Sequence, residues 1–120
     1  VKRLGKTQLQ PNKEFCEMSE KIHACAVDDI ETEDLIRFDV GDRTFAIYRS
    51  HKDEFFCTDG LCTHEDTHLA DGLVMDYIIE CPMHNGQFDY RTGEAKRSPV
   101  CANLQTYPVT VEDGQVIIEI

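Results

Sequence analysis

The chain has 120 residues and a formal net charge of −11, from 12 lysines and arginines against 23 aspartates and glutamates. That length suffices for one domain with one hydrophobic core. Because phosphate contacts need clustered lysine and arginine, the acid excess argues against a nucleic-acid partner. No apolar run approaches the roughly 18 residues of a membrane span. Residues 1–6 lack the apolar centre of a secretory signal, so a cytoplasmic protein is expected.

The first part of the chain differs in charge from the rest. Residues 1–21 are polar and carry five basic against three acidic side chains, which leaves 7 basic against 20 acidic, a net of −13, for residues 22–120. We expect residues 1–21 to form a poorly ordered N-terminal extension, with one stretch around Phe15 and Met18 docked on the domain. Residues 22–120 are expected to form that domain.

Short apolar runs separated by turn residues predict an all-β domain. The first is an alternating run over 35–40, which Gly41-Asp42 turns into a second run over 44–48. This pattern is typical of a β-hairpin. Further strands are expected over 54–58, 77–80, 87–90, 107–111 and 116–120. No segment predicts a long helix, and the acidic run 28–34 has room for one helical turn at most.

Two of the six cysteines are followed closely by a histidine. The segments are Cys62-Thr63-His64 and, beginning 17 residues after His64, Cys81-Pro82-Met83-His84. Two thiolates and two imidazoles suit zinc, or an iron–sulfur cluster in which two histidines replace two cysteines on one iron. Zinc fingers usually pair like ligands, whereas here each loop supplies one of each kind. In a two-iron cluster, such loops could give both cysteines to one iron and both histidines to the other. A structural zinc site remains the alternative.

The paired motif C-T-H and C-P-M-H resembles that of the Rieske [2Fe–2S] family. Over residues 22–120 the chain is similar to the soluble Rieske ferredoxins of bacterial ring-hydroxylating and related oxygenase systems, including those tied to rhizopine catabolism. The flanking residues that add to the resemblance are Gly60-Leu61, Leu69, Gly72, Gly86 and Phe88. The resemblance implies an antiparallel β-sandwich base with a small cluster-binding subdomain over about 60–90.

The same resemblance implies the ligands of one [2Fe–2S] cluster. Cys62 and Cys81 would bind the buried iron, and His64 and His84 the outer iron. The segment Ser98-Pro99-Val100 lies where the family has a proline-containing loop that covers the cluster.

Departures from the high-potential respiratory branch of the family predict a low potential. That branch carries a disulfide between its two ligand loops, at positions that look like Thr67 and Met83 here. It also places serine and tyrosine hydroxyls near the second loop, where this chain has Gly86 and Phe88. Fewer hydrogen bonds to the sulfurs leave the reduced state less stabilised. We therefore expect a potential near the lower end of the family range of about −150 to +300 mV.

The chain is expected to carry electrons and not to catalyse a reaction by itself. It leaves no room for a catalytic domain with a 2-His-1-carboxylate iron site, and it has no glycine-rich dinucleotide loop. We expect a monomeric one-electron carrier from an NAD(P)H-dependent reductase to a terminal oxygenase. Its acidic surface would dock transiently on basic partners. The alternative is a Rieske-like small subunit of a larger reductase of the nitrite reductase type.

The remaining histidine, cysteine and acidic side chains considered are expected to lie in the core or at the surface without binding the metal. His68 is expected to be a surface loop histidine. Cys57 and Cys101 are expected to be small buried hydrophobic residues. Glu65-Asp66 and the acidic run 28–34 are expected to form solvated surface, with docking to a basic partner as their functional alternative.

Overall fold

The computed structural model describes residues 20–120. The expectations for poor order over the N-terminal extension, and for docking around Phe15 and Met18, lie outside the described residues. The division of the chain after residue 21 stays a prediction, although the first strand already includes Lys21. Within residues 20–120, none of the helices has the length and apolar content needed to cross a bilayer.

The described residues form three antiparallel sheets, which confirms the all-β prediction. Sheet A has the order β1-β11-β10, made by β1 (Lys21–Ala26), β10 (Val109–Glu112) and β11 (Gln115–Glu119). Sheet B has the order β2-β3-β4-β9, made by β2 (Asp34–Val40), β3 (Arg43–Arg49), β4 (Phe55–Asp59) and β9 (Thr106–Tyr107). Sheet C has the order β5-β6-β7-β8, made by β5 (Leu73–Met75), β6 (Ile78–Glu80), β7 (Gln87–Asp89) and β8 (Ala95–Arg97). Short 3₁₀ turns lie at Val27–Asp29 and Leu69–Asp71.

Two hairpins form at tight turns, and the first of them is the predicted turn at Gly41-Asp42. Val40 pairs with Arg43 across the two-residue turn between β2 and β3, and Gly41 has a φ of +59° there. At the second turn, Asp113 and Gly114 have φ values of +52° and +76° between β10 and β11. Asp-Gly suits this turn because two consecutive positive φ angles match the twist of the flanking strands.

Strand β3 is buried on both faces and joins two parts of the core. Phe45 and Ile47 pack with residues of sheet A, including Val116. The alternate residues Ala46 and Tyr48 pack on the opposite side, in a cluster that also contains side chains of sheet C. Sheets A and B thus form the sandwich base, and sheet C with its loops forms the expected cluster-binding subdomain. That subdomain includes β8 and extends beyond the expected limit of residue 90.

Three strands were not predicted from the sequence, because each forms by pairing with a neighbouring strand and lacks a clear hydrophobic pattern of its own. Strand β1 pairs with β11 and places Ile22 opposite Ile118. Strand β5 pairs with β6, and the polar strand β8 pairs with β7. The last two have three residues each, too few to show a hydrophobic period.

Candidate metal centre

The first ligand loop leaves the end of β4 and closes on itself. An isolated antiparallel bridge between Leu61 and His68 closes its base. Inside the loop, the Cys62 N–H donates to the Thr67 carbonyl at 2.9 Å. The N–H of His64 lies 3.4 Å from the Cys62 Sγ and donates to it. The loop therefore holds its cysteine inward and directs one backbone donor at the sulfur.

The second ligand loop joins β6 to β7 and is also closed by a backbone hydrogen bond. The Cys81 N–H donates to the Gly86 carbonyl at 2.8 Å, which closes the loop. The backbone of His84 and Asn85 is left-handed, with φ values of +64° and +60°. This conformation costs a residue with a Cβ about 1–2 kcal/mol, so the surrounding fold imposes it. The backbone amide of Met83 lowers the pKa of the Cys81 thiol, against the larger effect of burial.

The four predicted donors are brought together as a buried pair and an exposed pair. Cys62 and Cys81 are 5% and 1% exposed and belong to the core cluster between sheets B and C. Their sulfurs interact, and burial is the main reason that the pKa of the Cys81 thiol rises to about 11. His64 and His84 are exposed, with ring centroids 5.8 Å apart. The two ligand loops therefore bring the four predicted donors together.

This donor set fits a two-iron cluster by its chemistry. Two soft sulfur donors lie in the core and two imidazoles lie at the surface, as a cluster with one buried and one outer iron would need. A further acceptor, the Oε2 atom of Glu65, is buried at the same place and has no hydrogen-bond partner within residues 20–120. The assignment of the four ligands to the two irons stays a prediction.

The segment expected to cover the cluster packs on the second ligand loop. A Cβ atom built on Gly86 would lie 2.6 Å from the Cγ1 of Val100, so a side chain at position 86 would displace Val100. The Thr63 hydroxyl donates to the Ala102 carbonyl at 2.7 Å and joins the first ligand loop to the same segment. Residues 98–102 therefore contact both ligand loops.

The expectation that His68 is a surface histidine is wrong. It is 7% exposed, because the β2–β3 hairpin supplies a partner for its ring. Its Nδ1 accepts from the Ala70 N–H at 3.0 Å. That bond puts the proton of the neutral ring on Nε2, which lies 2.9 Å from the Thr44 hydroxyl. The hydroxyl in turn donates to Asp39 at 2.5 Å. This chain of hydrogen bonds anchors the base of the first ligand loop.

Two other expectations are corrected. Cys101 is exposed, because it lies in the covering segment and not in a strand. Glu65 is only partly solvated, since one of its carboxylate oxygens is buried and its side chain is 28% exposed, whereas Asp66 is exposed as expected. Cys57 is buried as predicted, and burial raises its pKa to about 12. No local pattern distinguishes Glu65 or His68 from a surface loop residue, because their partners come from other segments.

Comparisons with known proteins agree with this geometry. Residues 20–108 match the model of the Rieske [2Fe-2S] domain. The ferredoxin component of the naphthalene 1,2-dioxygenase system of Pseudomonas putida is 39% identical over 99 residues, which cover 82% of this chain and 94% of that protein. The Sphingomonas yanoikuyae B1 ferredoxin is 39% identical, with a TM-score of 0.79 over 84% of this chain and 99% of that chain.

Two further solved structures bear on partners and on fold. A ferredoxin in complex with the oxygenase of carbazole 1,9a-dioxygenase is 32% identical, with a TM-score of 0.76 over 82% of this chain and 91% of that chain. A nitrite reductase small subunit from Mycobacterium tuberculosis has a TM-score of 0.77 over 87% of this chain and 97% of that chain; at 16% identity this likeness shows the fold alone. The chain therefore belongs to the Rieske [2Fe-2S] family and binds one cluster of that type.

Proposed function

We propose that this chain is a Rieske ferredoxin that carries one electron at a time from an NAD(P)H-dependent reductase to a terminal oxygenase. The ligands in this proposal are Cys62 and Cys81 on the inner iron and His64 and His84 on the outer iron. When bound, the cluster supplies a centre that accepts and releases a single electron. The relatives named above, which are ferredoxin components of dioxygenase systems, support an electron carrier over a catalyst.

The observation that carries the proposal is the exposure of the two imidazoles above the two buried thiols. Electron transfer between proteins slows steeply with distance, so exposed ligands give the shortest route into a partner. Leu61 and Met83, which precede ligand residues in the two loops, are 42% and 45% exposed. A few exposed apolar side chains beside a polar surface suit an encounter that forms and dissociates repeatedly.

The charge of the domain supports basic docking partners. Residues 22–120 carry a net charge of −13, and the exposed run Asp28, Asp29, Glu31, Glu33 and Asp34 contributes to it. Complementary charge speeds encounter more than it strengthens the complex. We expect a cytoplasmic monomer whose rate of electron delivery falls as ionic strength rises. The same charge disfavours nucleic acid as a partner.

The alternative function, a small subunit of a nitrite reductase type of enzyme, has weaker support. The comparisons that favour it are likenesses of fold below 25% identity, at 16% and 19% for two nitrite reductase small subunits. A permanent subunit would stay bound to its reductase during sedimentation at micromolar concentration, whereas a carrier would sediment alone. This measurement separates the two functions without knowledge of the substrate.

Reconstitution of the electron path tests the proposed function. The purified chain is expected to be red-brown and to give the electron paramagnetic resonance spectrum of a reduced Rieske cluster. With NADH, a ferredoxin reductase and a ring-hydroxylating oxygenase, it should support substrate oxidation that stops when the chain is omitted. A colourless protein that contains zinc and no iron would contradict the proposal.

Matched variants test the four ligands. Cys81→Ser should lose the cluster, while Cys101→Ser, which changes an exposed thiol outside the proposed set, should keep it. His64→Ala should lose or strongly alter the spectrum, while His51→Ala, also at an exposed histidine, should leave it unchanged. His84→Cys should keep colour and lower the potential, because a thiolate replaces a neutral imidazole. Retention of a wild-type spectrum in Cys81→Ser would contradict the ligand assignment.

A further inference from the structure

A buried carboxylate oxygen lies between the two ligand loops. Glu65 follows His64 directly, and its backbone carbonyl accepts a hydrogen bond from the Thr67 N–H at 2.7 Å, which fixes the turn. Its Oε2 atom is buried, has no hydrogen-bond partner among the residues that the structure describes and lies 3.6 Å from Nδ1 of His84 on the other loop. Potential ligand atoms of His64, Glu65 and His84 all lie within 4.8 Å of one another.

Within residues 20–120, no lysine or arginine forms an ion pair with this carboxylate. Among the described residues, the ion-pair partner of Glu65 is the His84 ring. The two cations of strand β8 pair elsewhere, Lys96 with Glu94 and Arg97 with Glu80. A partly buried charge of this kind is screened less by salt, and acts more strongly on neighbouring charges, than an exposed one. A buried acceptor without a hydrogen bond is also uncommon in native proteins.

We propose that Glu65 sets the reduction potential of the centre, because its carboxylate, held beside the His84 ring, opposes the arrival of an electron. This inference rests on the proposed function. The step concerned is the transfer of one electron from the reductase to the centre; no covalent bond forms or breaks, and the charge of the centre becomes more negative by one. Glu65 acts through the field of its charge and is not itself a ligand in this proposal.

The position of the carboxylate gives the direction of its effect. Electron addition makes the centre beside the His84 ring more negative, and the Glu65 Oε2 atom lies 3.6 Å from that ring. Like charges repel, so the carboxylate should oppose the electron.

A pair of variants in the first ligand loop separates the effect of burial from the effect of charge alone. Glu65→Gln and Asp66→Asn each remove one negative charge from adjacent residues, but Asp66 is exposed where Glu65 is partly buried. The midpoint potential of each cluster-loaded variant is measured by redox titration at low and high ionic strength. We expect Glu65→Gln to shift the potential upward at both ionic strengths with an unchanged spectrum. Asp66→Asn should give a smaller shift that disappears at high salt.

A second variant of Glu65 separates the effect of its charge from that of a local change in packing. Glu65→Ala removes the same charge with a smaller side chain and should shift the potential in the same direction. A shift in Glu65→Gln no larger than that in Asp66→Asn overturns the inference. Loss or alteration of the cluster spectrum in both Glu65 variants also overturns it, because the side chain would then be a ligand or a scaffold. If the wild-type chain itself shows no Rieske spectrum, the proposed function fails, which is a separate result.

Discussion

The hydrogen bond between Thr44 and His68 predicts a measurable loss of stability when the hydroxyl is removed. Thr44→Val preserves the shape of the side chain but leaves the buried Nε2–H of His68 without an acceptor. An unpaired buried donor costs about 1–3 kcal/mol. With a urea dependence of about 1–3 kcal/mol per molar, the unfolding midpoint should fall by roughly 0.3–3 M. The assay is urea unfolding of the cluster-loaded protein, followed by circular dichroism and by visible absorbance.

Two controls make this prediction specific to the hydrogen bond. Thr44→Ser keeps the hydroxyl and should lower the midpoint much less. In a His68→Asn background, the shorter side chain can still accept from the Ala70 N–H, as asparagine does at helix N-caps, but does not reach Thr44. In the His68→Asn background, Thr44→Val should therefore lower the free energy of unfolding only slightly. Equal losses for the valine and serine variants, or the same loss in the His68→Asn background, would refute the reasoning.

The same ring predicts a dependence of stability on pH. Burial lowers the pKa of His68 below its usual 6.5, and the charge of Arg37 adds to this, while Asp39 and Asp71 oppose it. The unfolded chain therefore takes up the proton first as pH falls. The contribution of His68 to stability is complete above about pH 6.5 and is lost as pH falls through the folded-state pKa. The stability advantage of the wild type over His68→Asn should shrink between pH 7.5 and pH 5.

Further predictions concern the covering segment and the core. Gly86→Ala should displace Val100 and speed loss of visible colour to a chelator, because the new Cβ would lie 2.6 Å from a β-branched side chain. Adding Val100→Ala to the Gly86→Ala variant should restore the slow loss of colour. If the double variant loses colour as fast as Gly86→Ala, the steric explanation is contradicted. Tyr48→Phe removes a buried hydrogen bond of 2.8 Å to the Thr58 hydroxyl and should cost about 1 kcal/mol in thermal unfolding. Phe88→Ala empties a fully buried position on β7 and should cost about 3–5 kcal/mol by the same measurement.

Several features of the fold are visible in the sequence because they depend on neighbouring residues. The turns at Gly41-Asp42 and Asp113-Gly114 contain residues that accept a positive φ, so the hairpins around them are predictable. The paired Cys and His of each ligand loop are also local, since each loop is closed by its own backbone hydrogen bonds. These local signals suffice for the fold class and for the candidate donors.

The roles of other residues depend on contacts between distant segments. His68 is buried because Thr44, from a hairpin 24 positions earlier, receives its ring proton. Strand β1 exists because β11, at the other end of the chain, pairs with it. Cys101 is exposed because its segment crosses the two ligand loops without joining a sheet.

The sequence by itself determined the chemistry of this protein: which donors are present, how they are spaced and that strands surround them. Only the tertiary structure decided which of the surrounding charges faces the donors. Glu65 and Asp66 are adjacent acidic residues with the same formal charge. The turn that the Thr67 N–H closes on the Glu65 carbonyl, and the approach of the second loop, bury one carboxylate oxygen beside His84 and leave Asp66 in solvent. Burial controls how strongly a charge acts, and burial depends on the packing of the two loops against each other.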